Sequence, residues 1–281
     1  MGGLCRRNHL LNGERTGLMN DARIEDPPYF YKYRGVTSQV SLDRLLAVLT
    51  QHQLWFARPI EFNDPFDCAP AVRTTFTREG LAATAIRVAD RRTRSQPEAV
   101  REAARKQLMA DALASTVDQA EAQSAAKQIM AAIQTEIGVL SLSDKSDSVL
   151  MWSHYGESHT GVCLRFDTAK SRLMQEAQPV RYQEERPVID LIGDRENTME
   201  KALLHKASYW AYEEEWRVIR VKRPGLHRFE PEALDAIIFG AKIDPAIEAR
   251  IRAAAHSGGV GATLLRTRFD EDRFRLNLET A

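Results

Sequence analysis

The sequence predicts an α+β fold, in which a mixed, mainly antiparallel sheet, whole or split, is flanked by helices and carries a helical insertion. Strand-like segments occur singly or in pairs between helices, without the regular alternation of a doubly wound fold. Between about residues 78 and 137, Ala, Arg, Gln and Glu dominate and aromatic residues are absent. Strand-like sequence resumes on both sides of this region, which therefore reads as an insertion of two or three surface helices.

Hydrophobic periodicity places the elements in chain order. The strands are predicted at residues 29–34, 54–57, 139–143, 161–166, 179–182, 214–221, 233–239 and 263–268, the last of them closing the fold. Outside the insertion, helices are predicted at residues 41–51, 148–155, 197–208 and 245–256. The first helix illustrates the reasoning, because Ser41 is a good N-cap and four leucines form one apolar stripe behind it.

Composition limits the class of protein. The chain has 281 residues, of which 43% are hydrophobic, so it can bury a core of its own. Lys and Arg total 39, as do Asp and Glu, and this balance argues against bulk attraction to nucleic acid or to an anionic membrane. Cys5, Cys68 and Cys163 are widely spaced, which argues against a disulfide framework or a structural zinc site.

Domain organisation follows from the same patterns. Residues 1–26 are polar and without periodicity, so we predict a flexible N-terminal arm there and a single domain over residues 27–281. No apolar run approaches the roughly 20 residues that span a bilayer. We therefore expect a cytoplasmic protein without a membrane partner.

The segment Trp210–Arg217, with the sequence WAYEEEWR, is the strongest candidate for chemistry. On a strand, Glu213, Glu215 and Arg217 would share one face. Such a face is either a solvated charged edge or, beside three aromatic residues, the lining of a cleft. In a cleft a carboxylate can act as a base or stabilise a cation developing on a sugar, and Arg217 can keep it ionised or bind a phosphate.

A second candidate is the segment Met151–Gly161, MWSHYGESHTG. His154 and His159 are five residues apart, which does not place two metal ligands on one helical face, so no metal is expected. His154 and Tyr155 could orient a ligand by hydrogen bonding or stacking. Alternatively the segment is a well-packed turn with Trp152 in the core.

Two further segments are weaker candidates. In Tyr31–Arg34, Lys32 and Arg34 share one strand face, and they either bind a phosphate or protect an edge strand from aggregation. In FNDPFD, Asn63, Asp64 and Asp67 could bind a cation, but such residues more often build turns by capping their own backbone.

Together these segments resemble a known family. The ordered elements YKYR, FNDPFD, SLS, MWSHYxxxHxGVCLxF and K…WxYExEWR, between Tyr31 and Val221, resemble the bacterial family called domain of unknown function 2971. More loosely, the chain is similar to ADP-ribosyltransferases, which carry Arg or His on an early strand and Glu, often as ExE, on a late one. Arg34, the His154–Tyr155 element and Glu215 with Glu213 fill the corresponding positions, although no STS-type triplet is present.

This looser resemblance implies an enzyme that transfers ADP-ribose from NAD or hydrolyses NAD, in a toxin or phage-defence setting. NAD would be a substrate, and no metal would be required. The implied catalytic residues are Glu215, Glu213, His154 and Tyr155. The implied nucleotide-binding residues are Lys32, Arg34, Trp152, His159 and Arg217, with Tyr155 or Trp152 stacking on nicotinamide and Arg34 holding the pyrophosphate.

Two alternatives stay open. One is a nucleic-acid-cleaving enzyme that uses His154, His159 and the acidic residues. The other is a non-catalytic binding or regulatory module, for which the helical insertion would offer a surface to a protein partner. The sequence does not define the macromolecular acceptor.

Overall fold

The computed structural model describes residues 26–73, 78–114, 119–190 and 197–281. The predicted N-terminal arm, apart from Asp26, lies outside these residues, as does a helix break predicted near Ser115. The strands are β1 (Tyr29–Arg34), β2 (Gln53–Phe56), β3 (Ala71–Arg73), β4 (Ile137–Ser143), β5 (Val162–Asp167), β6 (Gln178–Pro179), β7 (Arg181–Gln183), β8 (Val188–Asp190), β9 (His205–Ala207), β10 (Glu215–Val221), β11 (Gly225–Arg228), β12 (Leu234–Phe239), β13 (Thr263–Phe269) and β14 (Leu276–Thr280). The helices are α1 (Gln39–Gln51), α2 (Arg78–Arg92), α3 (Glu98–Ala114), α4 (Gln119–Glu136), α5 (Val149–His154), α6 (Thr198–Leu203) and α7 (Pro245–Ser257).

An eight-stranded sheet in the order β14-β13-β12-β5-β1-β4-β10-β6 organises the fold. Its strands pair antiparallel except for the parallel pair β12–β13. Short two-stranded pairs, β11–β2, β3–β8 and β7–β9, lie outside it. The predicted α+β class with a mainly antiparallel mixed sheet is therefore confirmed.

The sheet is nearly divided between β1 and β4. These strands share a single registered pair, Tyr31 with Ser143, whereas β1 pairs with β5 through six residues and β4 with β10 through seven. We call this narrow connection between β1 and β4 the sheet joint. Beside it, Lys32 Nζ donates to the backbone oxygen of Ser141 at 2.6 Å and thereby satisfies that carbonyl. The strand β1 lies inside the sheet, so its interpretation as an edge strand was wrong.

The register also decides which side chains share a face. Directly opposed residues of an antiparallel pair point to the same side, so Tyr31, Ser143 and Glu215 lie on one face. Because side chains alternate along a strand, Lys32 and Arg34 lie on the other face together with Phe30. The two groups of predicted site residues are thereby separated by the sheet.

The largest core fills the face that carries Phe30. There α1 and α7 pack on the sheet, and Leu42, Leu45 and Leu49 of α1 are buried as the predicted stripe requires. The helix begins two residues before the predicted cap, because Ser38 caps it and Ser41 completes a capping box.

Two smaller cores lie on the opposite face. One joins α4 of the insertion to β4 and β8 through Ile133, Ile137 and Ile189, and the other packs α5 against β1, β5 and β12. Within its described residues the insertion contains three helices, of which α2 and α3 pack on each other. No helix within the described residues is long and apolar enough to cross a membrane.

The strand predicted at 179–182 is divided between β6 and β7, which pair with β10 and β9 respectively. Two other element predictions were wrong. The helix predicted at 197–208 ends at Leu203, and the chain then forms β9 and a 3-10 helix, Ser208–Glu213. The strand Thr263–Phe269 is not the last, because β14 follows and pairs with it. In both places the strand exists through pairing with a partner that is not visible in the local hydrophobic pattern.

Truncation of Leu49, which is fully buried beneath the sheet, tests the core of α1. We expect Leu49→Ala to lower the free energy of unfolding by about 2–5 kcal/mol, because it removes buried surface and leaves a cavity. Val40→Ala on the same helix, at a residue 59% exposed, should change it by less than about 0.5 kcal/mol. Urea denaturation of the two variants measures the difference, and equal effects would contradict the packing described.

Candidate functional site

Five charged side chains form a buried group on the sheet face that carries Tyr31. We call it the charge cluster, and its members are Asp67, Lys206, Glu213, Glu215 and Arg217, each at most 8% exposed. They come from the loop before β3, from β9, from the 3-10 helix Ser208–Glu213 and from β10. Charged residues are rarely buried to this extent unless they are paired, so the cluster is an organised feature.

Arg217 is the centre of the cluster. Its Nη2 donates to both carboxylate oxygens of Asp67, at 2.9 and 2.7 Å, and its Nε donates to Glu215 Oε1 at 2.7 Å. Its Nη1 donates to the carbonyl of Leu203 at 2.7 Å. Every nitrogen of this fully buried guanidinium therefore has an acceptor, which is the condition for burying a charge.

Lys206 provides the second positive charge. Its Nζ donates to Glu213 Oε2 at 2.5 Å and to Glu215 Oε2 at 3.1 Å, and lies 3.4 Å from Asp67 Oδ2. It also lies 5.0 Å from the centre of the Trp210 ring, within range of a cation–π contact. Lys206 therefore links all three carboxylates of the cluster.

The two glutamates differ in how their charge is held. Burial opposes ionisation of Glu215, but the charges of Arg217 and Lys206 outweigh it and hold the pKa of Glu215 well below its usual range. Burial raises the pKa of Glu213, Lys206 opposes the rise, and the nearby Glu215 adds to it. Of the two glutamates, Glu213 is therefore the one whose protonation can change more readily.

A turn brings these glutamates together. Glu213 ends the 3-10 helix rather than starting the strand, and Glu214 adopts a left-handed conformation with φ of 41°. Glu214 consequently points outward and pairs with Lys145 at 3.2 Å, while its two neighbours face inward. The predicted shared strand face holds for Glu215 and Arg217, whereas Glu213 reaches the cluster through this turn.

Hydroxyl groups complete the site. Tyr155 donates from its hydroxyl to Glu213 Oε1 at 2.6 Å, and Asn63 makes a further side-chain contact with Tyr155. Tyr182 accepts a hydrogen bond from the backbone N–H of Glu215 at 2.8 Å. The loop FNDPFD thus contributes to the site twice, through Asn63 and through Asp67.

Aromatic rings surround the outer side of the cluster. We call them the aromatic rim, which consists of Tyr155, His154, Tyr212, Trp210 and Tyr209, with neighbouring ring centres 5.7–6.4 Å apart. His154 Nδ1 lies 2.8 Å from the hydroxyl of Tyr212, and Tyr209 is 64% exposed. Trp210 Nε1 is buried and has no hydrogen-bond partner among the described residues.

Trp152 and His159 lie elsewhere, in the core beneath α5. Trp152 is fully buried, contacts the ring of Tyr33 and donates from Nε1 to Ser146 O at 2.8 Å. His159 is 7% exposed and stacks on Trp152. Burial lowers the pKa of His159, with Lys242 adding to the effect. In this conformation no ligand can stack on Trp152.

Lys32 and Arg34 do not share a surface with the cluster. Burial, followed by the charge of Arg34, lowers the pKa of Lys32 to about 7, and Glu215 and Glu213 oppose that change across the sheet joint. Arg34 is near Arg44 of α1, on the far side of the sheet. The structure therefore brings together Tyr155, His154, both glutamates and Arg217, but not Arg34.

Sequence reasoning missed Asp67 and Lys206 as members of the site. Asp64 does act as a turn builder, since its carboxylate accepts from the N–H of Phe66 at 2.9 Å, but Asp67 pairs with Arg217 instead. Lys206 is the lysine at the start of the K…WxYExEWR pattern, and the pattern by itself assigns that lysine no role. Across the described residues, no group of His, Cys, Asp and Glu is arranged to hold a metal ion.

A cavity of about 400 Å³ lies away from the cluster, at the start of β1. Its lining includes Tyr29, Asp167, Thr168 and Gln175. It contains no member of the charge cluster or of the aromatic rim, so it does not bear on their chemistry.

Replacement of Arg217 tests the electrostatic balance of the cluster. Arg217→Met should lower the free energy of unfolding by about 3–5 kcal/mol, because it leaves buried carboxylates without their counter-charge. Arg220→Met, on the same strand but paired with the exposed Glu176, should cost less than about 1 kcal/mol. Urea denaturation gives both values, and a small effect of Arg217→Met would contradict the central role assigned to this residue.

Lys32 gives a prediction about pH. Its pKa is about 7 in the folded chain and 10.5 ordinarily, so between these values the unfolded chain binds a proton that the folded chain does not. Stability should therefore rise with pH in this window, by at most about 1.4 kcal/mol per pH unit for one proton. Lys32→Met should remove this rise of stability with pH. Lys106→Met, at an exposed lysine, is the control and should keep the rise. Denaturation at pH 6 to 10 measures the stability of each variant. Parallel curves for wild type and Lys32→Met would exclude the shift.

Comparison with known proteins supports one part of the family resemblance. The model of the family described as "Protein of unknown function (DUF2971)" matches residues 151–218. No curated protein matches the chain. No solved structure matches it either. The matched range contains every member of the charge cluster except Asp67, and over this range the chain is similar to that family.

Proposed function

We propose that the chain is an ADP-ribosyltransferase-like enzyme that cleaves the bond between nicotinamide and ribose in NAD. The single observation that carries the proposal is Glu213, a buried carboxylate with a raised pKa, held by Tyr155 and Lys206 beneath a rim of aromatic rings. Perturbed carboxylates of this kind concentrate at functional sites.

The chemistry fits the charge of the cluster. When the glycosidic C–N bond breaks, its electron pair leaves with nicotinamide and positive charge develops on the ribose. A carboxylate placed beside that charge stabilises it before water or another acceptor attacks. With all its groups ionised, the cluster has one negative charge in excess, which suits this transition state.

The structure changes which glutamate we assign to this role. Both carboxylate oxygens of Glu215 accept hydrogen bonds from Arg217 or Lys206, so Glu215 holds these two cations in place. Glu213 has only Lys206 as a cationic partner and borders the aromatic rim. Because Glu213 is 3% exposed, the proposal requires the side chain of Tyr155 or Tyr212 to move as the substrate enters.

The aromatic rim supports recognition of the nicotinamide ring. The ring of NAD carries a positive charge, and aromatic faces attract such cations. Tyr212 and Tyr209 take the stacking role that the resemblance implies for Tyr155 or Trp152, and Trp210 Nε1, which has no partner among the described residues, is a donor for the carboxamide. His154 and Tyr155 shape the entrance to Glu213.

The setting is a further part of the proposal. Action in a toxin or phage-defence system, on a macromolecular acceptor, rests on the family resemblance, and the cytoplasmic location rests on the sequence pattern alone. The alternatives of a nucleic-acid-cleaving enzyme and a non-catalytic module remain hypotheses, and the contacts of the charge cluster favour neither.

Replacement of Glu213 tests the assignment. We expect wild-type protein to release nicotinamide from NAD, and Glu213→Gln to reduce the rate by about 10²- to 10³-fold, as the loss of one transition-state contact does. The amide keeps the shape and removes the excess negative charge, so the fold should survive, as circular dichroism can verify. Glu214→Gln is the matched control, because that neighbouring side chain faces solvent.

Nicotinamide release is followed by chromatography, and transfer by labelled NAD with protein, DNA and RNA acceptors. Absence of release by the wild type with every acceptor would refute the proposed reaction. Equal rates for wild type and Glu213→Gln would refute the role of this glutamate.

A further inference from the structure

The outward face of the two-stranded pair β2–β11 carries exposed apolar side chains. Trp55 and Leu226 are directly opposed in this antiparallel pair, so their side chains lie next to each other on one face. They are 45% and 59% exposed, whereas Leu54 and Phe56, on the other face of β2, are fully buried. Contiguous exposed apolar side chains mark interaction surfaces, whereas isolated ones are common on any protein.

The ring of Trp55 has a fixed position on this face. A Cβ atom placed on Gly225 would lie 3.9 Å from Trp55 Cζ3, so the ring contacts the backbone of β11. Gly225 has a φ of 112°, a conformation that glycine adopts readily, and it leaves this contact free of a side chain. Trp55 Nε1 donates to Glu61 Oε2 at 3.4 Å, which orients the edge of the ring. The exposed ring is therefore a preformed platform for stacking.

Three cations without a counter-charge flank the ring. Lys222 and Arg223 lie in the turn before β11, which His227 holds against that strand, since its Nε2 lies 2.7 Å from the carbonyl oxygen of Arg223. Arg228 ends β11, on the same face as Leu226, because side chains alternate along a strand. All three cations are exposed, and none makes an ion pair or a side-chain hydrogen bond with another described residue. We give the name ribbon face to the surface formed by Trp55, Leu226, Lys222, Arg223 and Arg228.

The charge and the ring together define the partner. Arg223 and Arg228 are five residues apart, so at most about 18 Å separates their Cα atoms, and the Trp55–Leu226 pair lies between them. A single strand of nucleic acid offers phosphates to such cations and unpaired bases to such a ring. In a duplex the faces of the bases are covered by their neighbours. The ribbon face is therefore complementary to a single strand.

Glu61 favours RNA over other anionic partners. Its carboxylate is exposed at the edge of the Trp55 ring, where it can accept a hydrogen bond from a ribose 2′-hydroxyl, a donor that DNA lacks. The same carboxylate would have to leave water if Trp55 entered an anionic membrane, and desolvation of a charge is costly. Arg58 offsets the repulsion between Glu61 and phosphates, since Arg58 Nε lies 3.9 Å from Glu61 Oε1.

We propose that the ribbon face binds single-stranded RNA, with a base stacked on Trp55 and phosphates held by the three cations. Glu215 and Val221 are the two ends of β10, so the turn after Val221 is about 20 Å from the charge cluster. The ribbon face is therefore separate from that cluster, and its binding of RNA does not depend on the proposed NAD cleavage.

Fluorescence anisotropy with a labelled RNA of about 12 nucleotides measures this binding. We expect the wild type to bind the RNA more tightly than it binds DNA of the same sequence or the RNA duplex. Trp55→Ala should weaken binding about tenfold or more, because it removes the stacking contact. Arg223→Gln and Arg228→Gln should each weaken binding and reduce the slope of log Kd against log salt by about 0.7, the value for one phosphate contact with a single strand.

Two variants elsewhere control for general effects of charge and exposed rings. Phe274→Ala removes an exposed aromatic ring between β13 and β14, and Arg92→Gln removes an exposed cation of α2, so both should bind the RNA like the wild type. Trp55→Phe should retain part of the binding, because a smaller ring remains. Arg228→Gln keeps the test valid if Trp55→Ala does not fold, because Arg228 is exposed.

Co-sedimentation with phosphatidylserine vesicles tests a membrane as the partner instead. Binding to these vesicles without binding to the RNA would overturn the proposal. So would failure of the wild type to bind the RNA, equally tight binding of the DNA or of the duplex, or equal weakening by the control variants.

Discussion

The buried guanidinium of Arg217 is the interaction on which the rest of the site depends. A charge with no solvent contact is tolerated only where every donor has an acceptor and the opposite charge is close. Asp67, Glu215 and the carbonyl of Leu203 meet that demand from three separate segments of the chain. The loop before β3, the end of α6 and the strand β10 are thereby held in one arrangement, and Lys206 and Glu213 are positioned by it.

This organisation explains why two neighbouring glutamates differ chemically. Glu215 lies between two cations and stays ionised, whereas Glu213 is buried with one cation and a tyrosine hydroxyl. The difference arises from the left-handed turn at Glu214, which moves Glu213 off the strand line. A single backbone conformation therefore separates a structural carboxylate from the one that we assign to chemistry.

The nearly divided sheet sets the second constraint. Since β1 and β4 share one registered pair, Lys32 can donate to the carbonyl of Ser141. The charges of Glu215 and Glu213 act on the pKa of Lys32 across the sheet joint. Arg34, two residues further along, stays on the α1 face. Two cations on the same strand face thus differ in the groups that surround them.

The sequence by itself determined the α+β class, the helical insertion, most strand and helix positions, and the segments around Tyr155 and Glu215, because these follow from local periodicity and residue type. Tertiary structure decided the rest. Short strands such as β9 and β14 exist through pairing with distant partners, and Asp67 and Lys206 join the site through contacts across the chain. Which face a cation occupies, and which carboxylate has a raised pKa, depend on register and burial, and those are properties of the assembled fold.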